Sequence, residues 1–120
     1  MTMEARAIQR GVRQSPRKMR LVVDLIRGKN VNEAYAILRF SKKLAARQIA
    51  KTLRSAVANA EQAALKDNTA LDVDELVVTW ATVDMGTPLK RHHAAAQGRG
   101  VPIRKPTSHV TIHVGTKESE

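Results

Sequence analysis

From Met19 the apolar residues Met19, Val22, Val23 and Ile26 recur at i, i+3, i+4 and i+7, the spacing of one buried helical face. Ser15-Pro16 opens this segment as N-cap and first helical residue, and Gly28 stops it. A shorter second helix is predicted from an Asn32 N-cap to near Phe40, turning Ala34, Ile37 and Leu38 inward. Ser41 is read as the cap of a third, running to about Lys66, with Leu44, Ile49, Leu53, Val57, Ala60 and Ala64 as its apolar stripe. Asp67-Asn68-Thr69 breaks it, and the pattern then changes to alternation. Leu76, Val78 and Trp80 alternate with Val77, Thr79 and Ala81. Val110, Ile112 and Val114 alternate with Thr107, His109, Thr111 and His113, so 76–84 and 107–114 read as strands. Glu4–Arg13 is a less regular strand, because Ile8 and Val12 share their face with Arg6 and Arg10. The aromatic residues Tyr35, Phe40 and Trp80 are expected in the core or in helix packing.

Between the last two strands lie 22 residues, Met85 to Pro106, with five cations (Lys90, Arg91, Arg99, Arg104, Lys105), two histidines and no carboxylate. Structureless loops beyond ~12–15 residues are uncommon unless they are functional. If the segment pairs with itself, its tip falls near Ala95, about 60 Å from Leu76 at ~3.3 Å per residue. A body of this size has a radius of gyration of about 13 Å. The segment is therefore read as an arm that leaves its own core. Gly86, Pro88, Gly98, Gly100, Pro102 and Pro106 weaken pairing along it, so the distal half is expected to order only when embedded in a partner.

Charge turns this geometry into a statement about partners. The chain has 120 residues, with 21 Lys+Arg against 11 Asp+Glu, a net charge of +10. Residues 1–60 contain only three acids, Glu4, Asp24 and Glu33, whereas 67–84 contain Asp67, Asp72, Asp74, Glu75 and Asp84 and no cation. Such segregation implies a binding side and a side facing elsewhere. Lys43, Arg47, Lys51 and Arg54 fall on one face of the third helix, and like charges at i, i+4 cost ~0.2–0.5 kcal/mol per pair unless an anion meets them. Arg17, Lys18 and Arg20 open the first helix and Lys42 and Lys43 the third, where the helix dipole favours acids instead. A phosphate at each start removes that conflict. No cysteine is present, which fits a reducing cytosol, and no apolar stretch or leader-like segment suggests a membrane or secretion.

Enzyme chemistry finds no support. There is no nucleophile–base set, phosphate-binding glycine loop or dinucleotide fingerprint. His92 and His93 are strand neighbours that point oppositely, and His109 and His113 are ~13 Å apart along a strand, so no metal site and no cofactor is expected. With the aromatic residues assigned to the core, single-strand base stacking is disfavoured, and backbone recognition of folded RNA or duplex DNA remains.

Three segments carry a specific resemblance. Ser15–Lys29, Ser55–Glu61, and the arm motifs Leu89-Lys90-Arg91, Gln97-Gly98-Arg99 and Thr107–Ile112 resemble, in order, the bacterial large-subunit ribosomal protein L22 family. The resemblance covers roughly residues 5–114. It implies an α+β fold, with three helices packed on a small antiparallel three-stranded sheet and a long protruding β-hairpin. One domain, 1–120, would comprise a body (about 1–83 and 107–114), the arm (about 84–106) and a flexible tail (115–120). The implied function is structural, in the cytoplasmic ribosome: binding several domains of large-subunit rRNA, supporting early assembly, and lining the polypeptide exit tunnel with the hairpin. The implied partners are rRNA, neighbouring ribosomal proteins including the tunnel-lining protein L4, and the nascent chain near the tip, with the protein a monomer in the particle and no membrane contact. Charge and resemblance together give as candidate rRNA-binding residues Arg6, Arg10, Arg13, Arg17, Lys18, Arg20, Arg27, Lys29, Lys42, Lys43, Arg47, Lys51, Arg54, Lys90, Arg91, His92, His93, Arg99, Arg104, Lys105, Ser108 and His109. Ala94, Ala95, Ala96, Gln97 and Gly98 fall at the tip.

The chain departs from the family pattern in the arm. Asp84-Met85-Gly86-Thr87-Pro88 stands where Asp-Glu-Gly-Pro is usual, Ala94–Ala96 where Pro-Arg-Ala is frequent, and Pro106 replaces an arginine. Two other classes fit parts of the pattern. A DNA-architectural protein could use a cationic arm, but this arm is longer than a groove requires. A membrane-surface protein could use the third helix, but its apolar face lacks Trp or Phe.

Overall fold

The computed structural model describes residues 4–94, 96–98 and 100–116. Its body is one antiparallel sheet in the order β1-β5-β2, with β1 spanning Glu4–Val12, β2 Leu76–Met85 and β5 Ser108–Thr116. Helices α1 (Pro16–Ile26), α2 (Val31–Arg39) and α3 (Ala45–Lys66) pack with this sheet around one core. Strands β3 (Leu89–Ala94) and β4 (Gly100–Lys105) form a separate two-stranded ribbon. This is the α+β arrangement that the sequence pattern and the resemblance imply.

The core follows the periodicities. Met19, Val22, Val23 and Ile26 of α1 are buried, and so are Val110, Ile112 and Val114 of β5. The alanine-rich side of α3 lets it lie close to its neighbours, burying Ala45, Ala46, Ala56, Ala60 and Ala64 beside Ile49 and Leu53. Polar ties fix the register of α3 on β1. Gln9 Nε2 donates to Gln48 Oε1 at 2.7 Å, Thr52 Oγ1 donates to Gln9 Oε1 at 2.8 Å, and Asn59 Nδ2 donates to the Arg6 carbonyl at 2.8 Å.

Two bulges shift the strand patterns from simple alternation. In β1 the register slips between Gln9 and Val12, where Gly11 takes φ +69, a conformation that favours glycine. Ala7 and Val12 are therefore buried, while Ile8 stays with Arg6 and Arg10 on the exposed side. In β2 the register slips between Val78 and Trp80. Leu76 and Val78 point inward before the slip and Ala81 and Val83 after it, so Trp80 is turned out, 58% exposed.

The helix starts also differ from expectation. Asn30, not Asn32, caps α2: its side chain accepts from Asn32 N, which lets Val31 join the core. The Ser41 hydroxyl accepts from Lys43 N, capping a turn that precedes α3, and the helix starts only at Ala45. Leu44, placed in the apolar stripe by spacing, stands outside the helix and is 76% exposed. Strand β5 extends through Gly115, which pairs with both Glu4 and Val77, to Thr116. Residues 117–120 of the expected tail lie outside the described residues.

The arm leaves the body at Gly86, which is buried against Thr107 and His109; a Cβ there would lie 2.5 Å from Thr107 Oγ1. Gly86 N donates to the Thr107 carbonyl and Thr107 Oγ1 to the Thr87 carbonyl, closing the junction. Beyond it the ribbon pairs from Leu89↔Lys105 to Ala94↔Gly100. Gln97 and Gly98 turn the chain with positive φ. The molecule measures 66 × 28 × 21 Å, with a radius of gyration of 17.8 Å against about 13 Å for a compact chain of this length.

Candidate nucleic-acid interface

The loop from Ser41 to Leu44 sits between two open clefts. One, of about 940 Å³, lies between α2 and α3 and is lined by Arg39, Lys42, Lys43, Arg47 and Arg54 together with Tyr35, Leu38 and Leu44. The other, of about 950 Å³, brings the starts of α1 and α3 together with the root of the arm: Arg13, Lys18, Lys42, Lys43 and Lys105 line it beside Ser15, Leu21 and Pro106. Neither lining contains a carboxylate. Because Lys42 and Lys43 belong to both, the clefts form one cationic surface that continues onto the arm.

Local structure leaves these charges available. The first turns of α1 and α3 carry no acid and their N-caps make no side-chain hydrogen bond. Among the described residues, the ion pairs of Lys and Arg are Arg27–Asp24 and Lys29–Glu33, both along the helical surface of the opposite end. Lys42, Lys43, Arg47, Lys51 and Arg54 are exposed, though Lys51 does not line the cleft that its stripe neighbours share. The Tyr35 phenol is pushed above its ordinary range by burial, with Arg54 lowering it and Glu61 raising it. It therefore stays protonated in the cleft and can donate a hydrogen bond. Apposed cations of this kind repel one another and make a surface suited to a polyanion.

In the arm, Lys90 pairs directly opposite Arg104. Like charges at that separation destabilise a strand pair, which again favours an anionic surrounding. Lys90, Arg91, His92, Arg104 and Lys105 are exposed. Arg99 and Ala95 lie outside the described residues, as do the side chains of His93 and Ala96.

Several candidates have structural duties. Arg20 donates through Nε and Nη2 to the Val83 carbonyl at 3.1 and 2.9 Å, and Arg27 through Nε to the Ala81 carbonyl at 2.9 Å. Gly28 N donates to the Val78 carbonyl, and Val78 N donates to the Lys29 carbonyl. These bonds close the outer edge of β2, which would otherwise offer unpaired backbone groups. Replacing Arg20 by alanine should lower stability by about 1.5 kcal/mol, since a charged donor to a carbonyl is lost; a fall of roughly 5 °C in Tm by thermal denaturation checks it.

Ser108 must be removed from the contact set. It is fully buried, and its hydroxyl donates to the Gln14 carbonyl at 2.6 Å. His109 is half-buried, with Nδ1 accepting from Gly11 N at 3.2 Å, so that nitrogen is already engaged. Arg6, Arg10, Arg13, Arg17 and Lys18 are exposed, but Arg6 and Arg10 lie on the outer sheet face, away from the clefts.

The aromatic assignment is overturned in two of three cases. Phe40 is 81% exposed, with the Arg39 guanidinium 5.9 Å from its ring centroid, and Trp80 is exposed through the β2 bulge. Tyr35 alone packs partly against the core. Arg39 also lines the first cleft and was not singled out by charge spacing; its adjacency to Phe40 at the end of α2 was the available signal.

The acidic segment has a local role. The Asp74 side chain accepts from Asn32 Nδ2 at 2.9 Å, and its carbonyl accepts from Asn30 Nδ2 at 2.7 Å, tying the connector to the start of α2. Among the described residues no group of three or more metal-ligating side chains comes together, and no helix is long and apolar enough to cross a membrane.

The family model described as ribosomal protein L22p/L17e matches residues 7–115. The chain is 54% identical over 112 residues to the large ribosomal subunit protein uL22 of Clostridium novyi (strain NT), covering 93% of this chain and 96% of that protein. It is 50% identical over 116 residues to the large ribosomal subunit protein uL22 of Pelotomaculum thermopropionicum, covering 97% and 98%.

Proposed function

Since this chain belongs to the ribosomal protein L22p/L17e family, we propose that its cationic clefts and arm are the surfaces by which it is built into large-subunit rRNA. Membership makes the chain a structural component of the large ribosomal subunit, in the cytoplasm, and not an enzyme. The finer reading is that Arg13, Arg17, Lys18, Lys42, Lys43, Arg47 and Arg54 hold rRNA phosphates on the body. Lys90, Arg91, Arg104 and Lys105 then hold them along the arm, which lies in the wall of the exit tunnel with 94–98 nearest the nascent chain and protein L4. A protein that bridges separate rRNA segments through its body and its arm favours early assembly.

The observation that carries this reading is the acid-free surface running from the α2–α3 cleft, through Lys42 and Lys43, to Lys105 at the root of the arm. Sedimentation of tagged protein tests it: the chain should travel with the large subunit, and recovery with nucleoid or membrane would refute it. A variant without the arm separates the two parts. The core cluster lies outside the arm, so replacing residues 89–105 by a short turn should shift Tm by no more than a few degrees, while the loss of Lys90, Arg91, Arg104 and Lys105 should weaken rRNA binding and flatten its salt dependence. Unfolding of that variant by circular dichroism would contradict an independently stable body.

A further inference from the structure

The outer face of the sheet carries the single tryptophan of the chain. Arg6 of β1 and Trp80 of β2 both stand in register with His113 of β5, so the three form a row across the sheet. With strands ~4.8 Å apart, the two outer members are about 10 Å from each other along that row. The next row is Ile8, Thr111 and Thr82. Of the carboxylates on this face, Glu4 reaches the central histidine of the first row, His113 Nδ1, at 2.8 Å, and Asp84 lies at the far end, opposite His109. Neither Arg6 nor Arg10 forms an ion pair among the described residues.

We propose that this face is a stacking platform for an unpaired RNA nucleotide, with the base on the Trp80 indole and flanking phosphates on Arg6 and Arg10. It rests on the rRNA-binding reading above and gives the body a second RNA-contacting side. A protein partner fits the face less well. Its exposed large apolar side chains are Trp80 and Ile8, set in different rows among Thr82, Thr111 and His113, whereas docking surfaces are contiguous apolar patches of a few hundred Å². Strand addition is blocked at β2 because the start of the α1–α2 loop and two arginines already occupy its edge. An isolated exposed ring with unpartnered guanidinium groups two strands away on the same face is instead the chemistry that holds single-stranded RNA, where stacking tolerates any base.

Because Trp80 is the only tryptophan, its fluorescence reports the contact directly. The full chain is titrated with an end-labelled single-stranded oligoribonucleotide and with a duplex RNA of the same sequence, following label anisotropy and indole emission together. The single strand should quench Trp80 saturably, with the same midpoint as the anisotropy, while the duplex binds without quenching. Trp80→Ala should weaken single-strand binding about tenfold and leave duplex binding unchanged, and Trp80→Phe should retain most of the affinity. Binding of the single strand with unchanged emission, or equal affinity of Trp80→Ala for it, overturns the platform while leaving the rRNA reading intact. Failure to bind either RNA overturns both. Unchanged emission with the single strand, combined with protection of the indole from acrylamide in the assembled large subunit, assigns the face to another neighbour and likewise overturns the proposal.

Discussion

Changing Lys42, Lys43 and Arg47 together to alanine is expected to weaken rRNA binding about 10²-fold at 0.15 M salt and to flatten its salt dependence. Each phosphate contact contributes roughly 0.7–0.9 to the slope of log affinity against log salt. Three lost contacts therefore remove about 2–3 from that slope. Extrapolated from 1 M salt to 0.15 M, the same contacts account for about two decades of affinity. The choice of residues follows the geometry, since Lys42 and Lys43 line both clefts and Arg47 continues the first. Stability should hardly move. All three side chains are exposed, none has an acidic partner among the described residues, and the bond that caps the preceding turn uses the Lys43 backbone. Filter binding across a salt series checks the result. A folded variant with an unchanged slope would show that the clefts are not the phosphate-binding surface, and the charge-conserving variant Lys42→Arg, Lys43→Arg, Arg47→Lys should restore most of it.

The parts of this molecule that sequence reveals are those in which a regular period survives folding. Helix α1 and strand β5 keep their periods, and their apolar faces are buried as spaced. Strands β1 and β2 do not, because a bulge in each reverses which side faces the core. Gly11 hinted at the first bulge. Nothing in Val78-Thr79-Trp80 announces the second, since all three residues suit a strand on either face. That one-residue slip moved Trp80 from core to surface, and it invalidated the argument against base stacking that depended on buried aromatics. The cationic surface was legible as charge, but its division was not. Arg20 and Arg27 look the same in sequence as Arg17 and Lys18, yet their side chains reach the β2 edge and serve the fold. Only the placement of α1 against β2 separates the two roles.

Ile112→Ala should be the most damaging single truncation in the body, costing about 4 kcal/mol. Buried Ile-to-Ala changes cost 2–5 kcal/mol, and the upper part of the range applies where neighbours cannot fill the void. Ile112 is fully buried in the central strand, and its register partners are Ala7 on β1 and Ala81 on β2. One large side chain thus fills the middle of a row whose two flanks are small. After truncation the whole row is alanine, and no adjacent strand residue is long enough to reach the space. With ~5–15 kcal/mol of total stability for a natural domain, this loss is a large fraction of the whole. It should appear as a fall of about 15 °C in Tm. Val101→Ala on the arm provides the contrast, because Val101 is half-exposed on a two-stranded ribbon outside the core cluster. Its melting shift should be within about 2 °C, as for an ordinary surface change. Equal shifts for the two variants would mean that arm and body unfold as one unit. A partial rescue of Ile112→Ala by Ala81→Val, which returns volume to the same row, would show that the lost packing lies between those three strands.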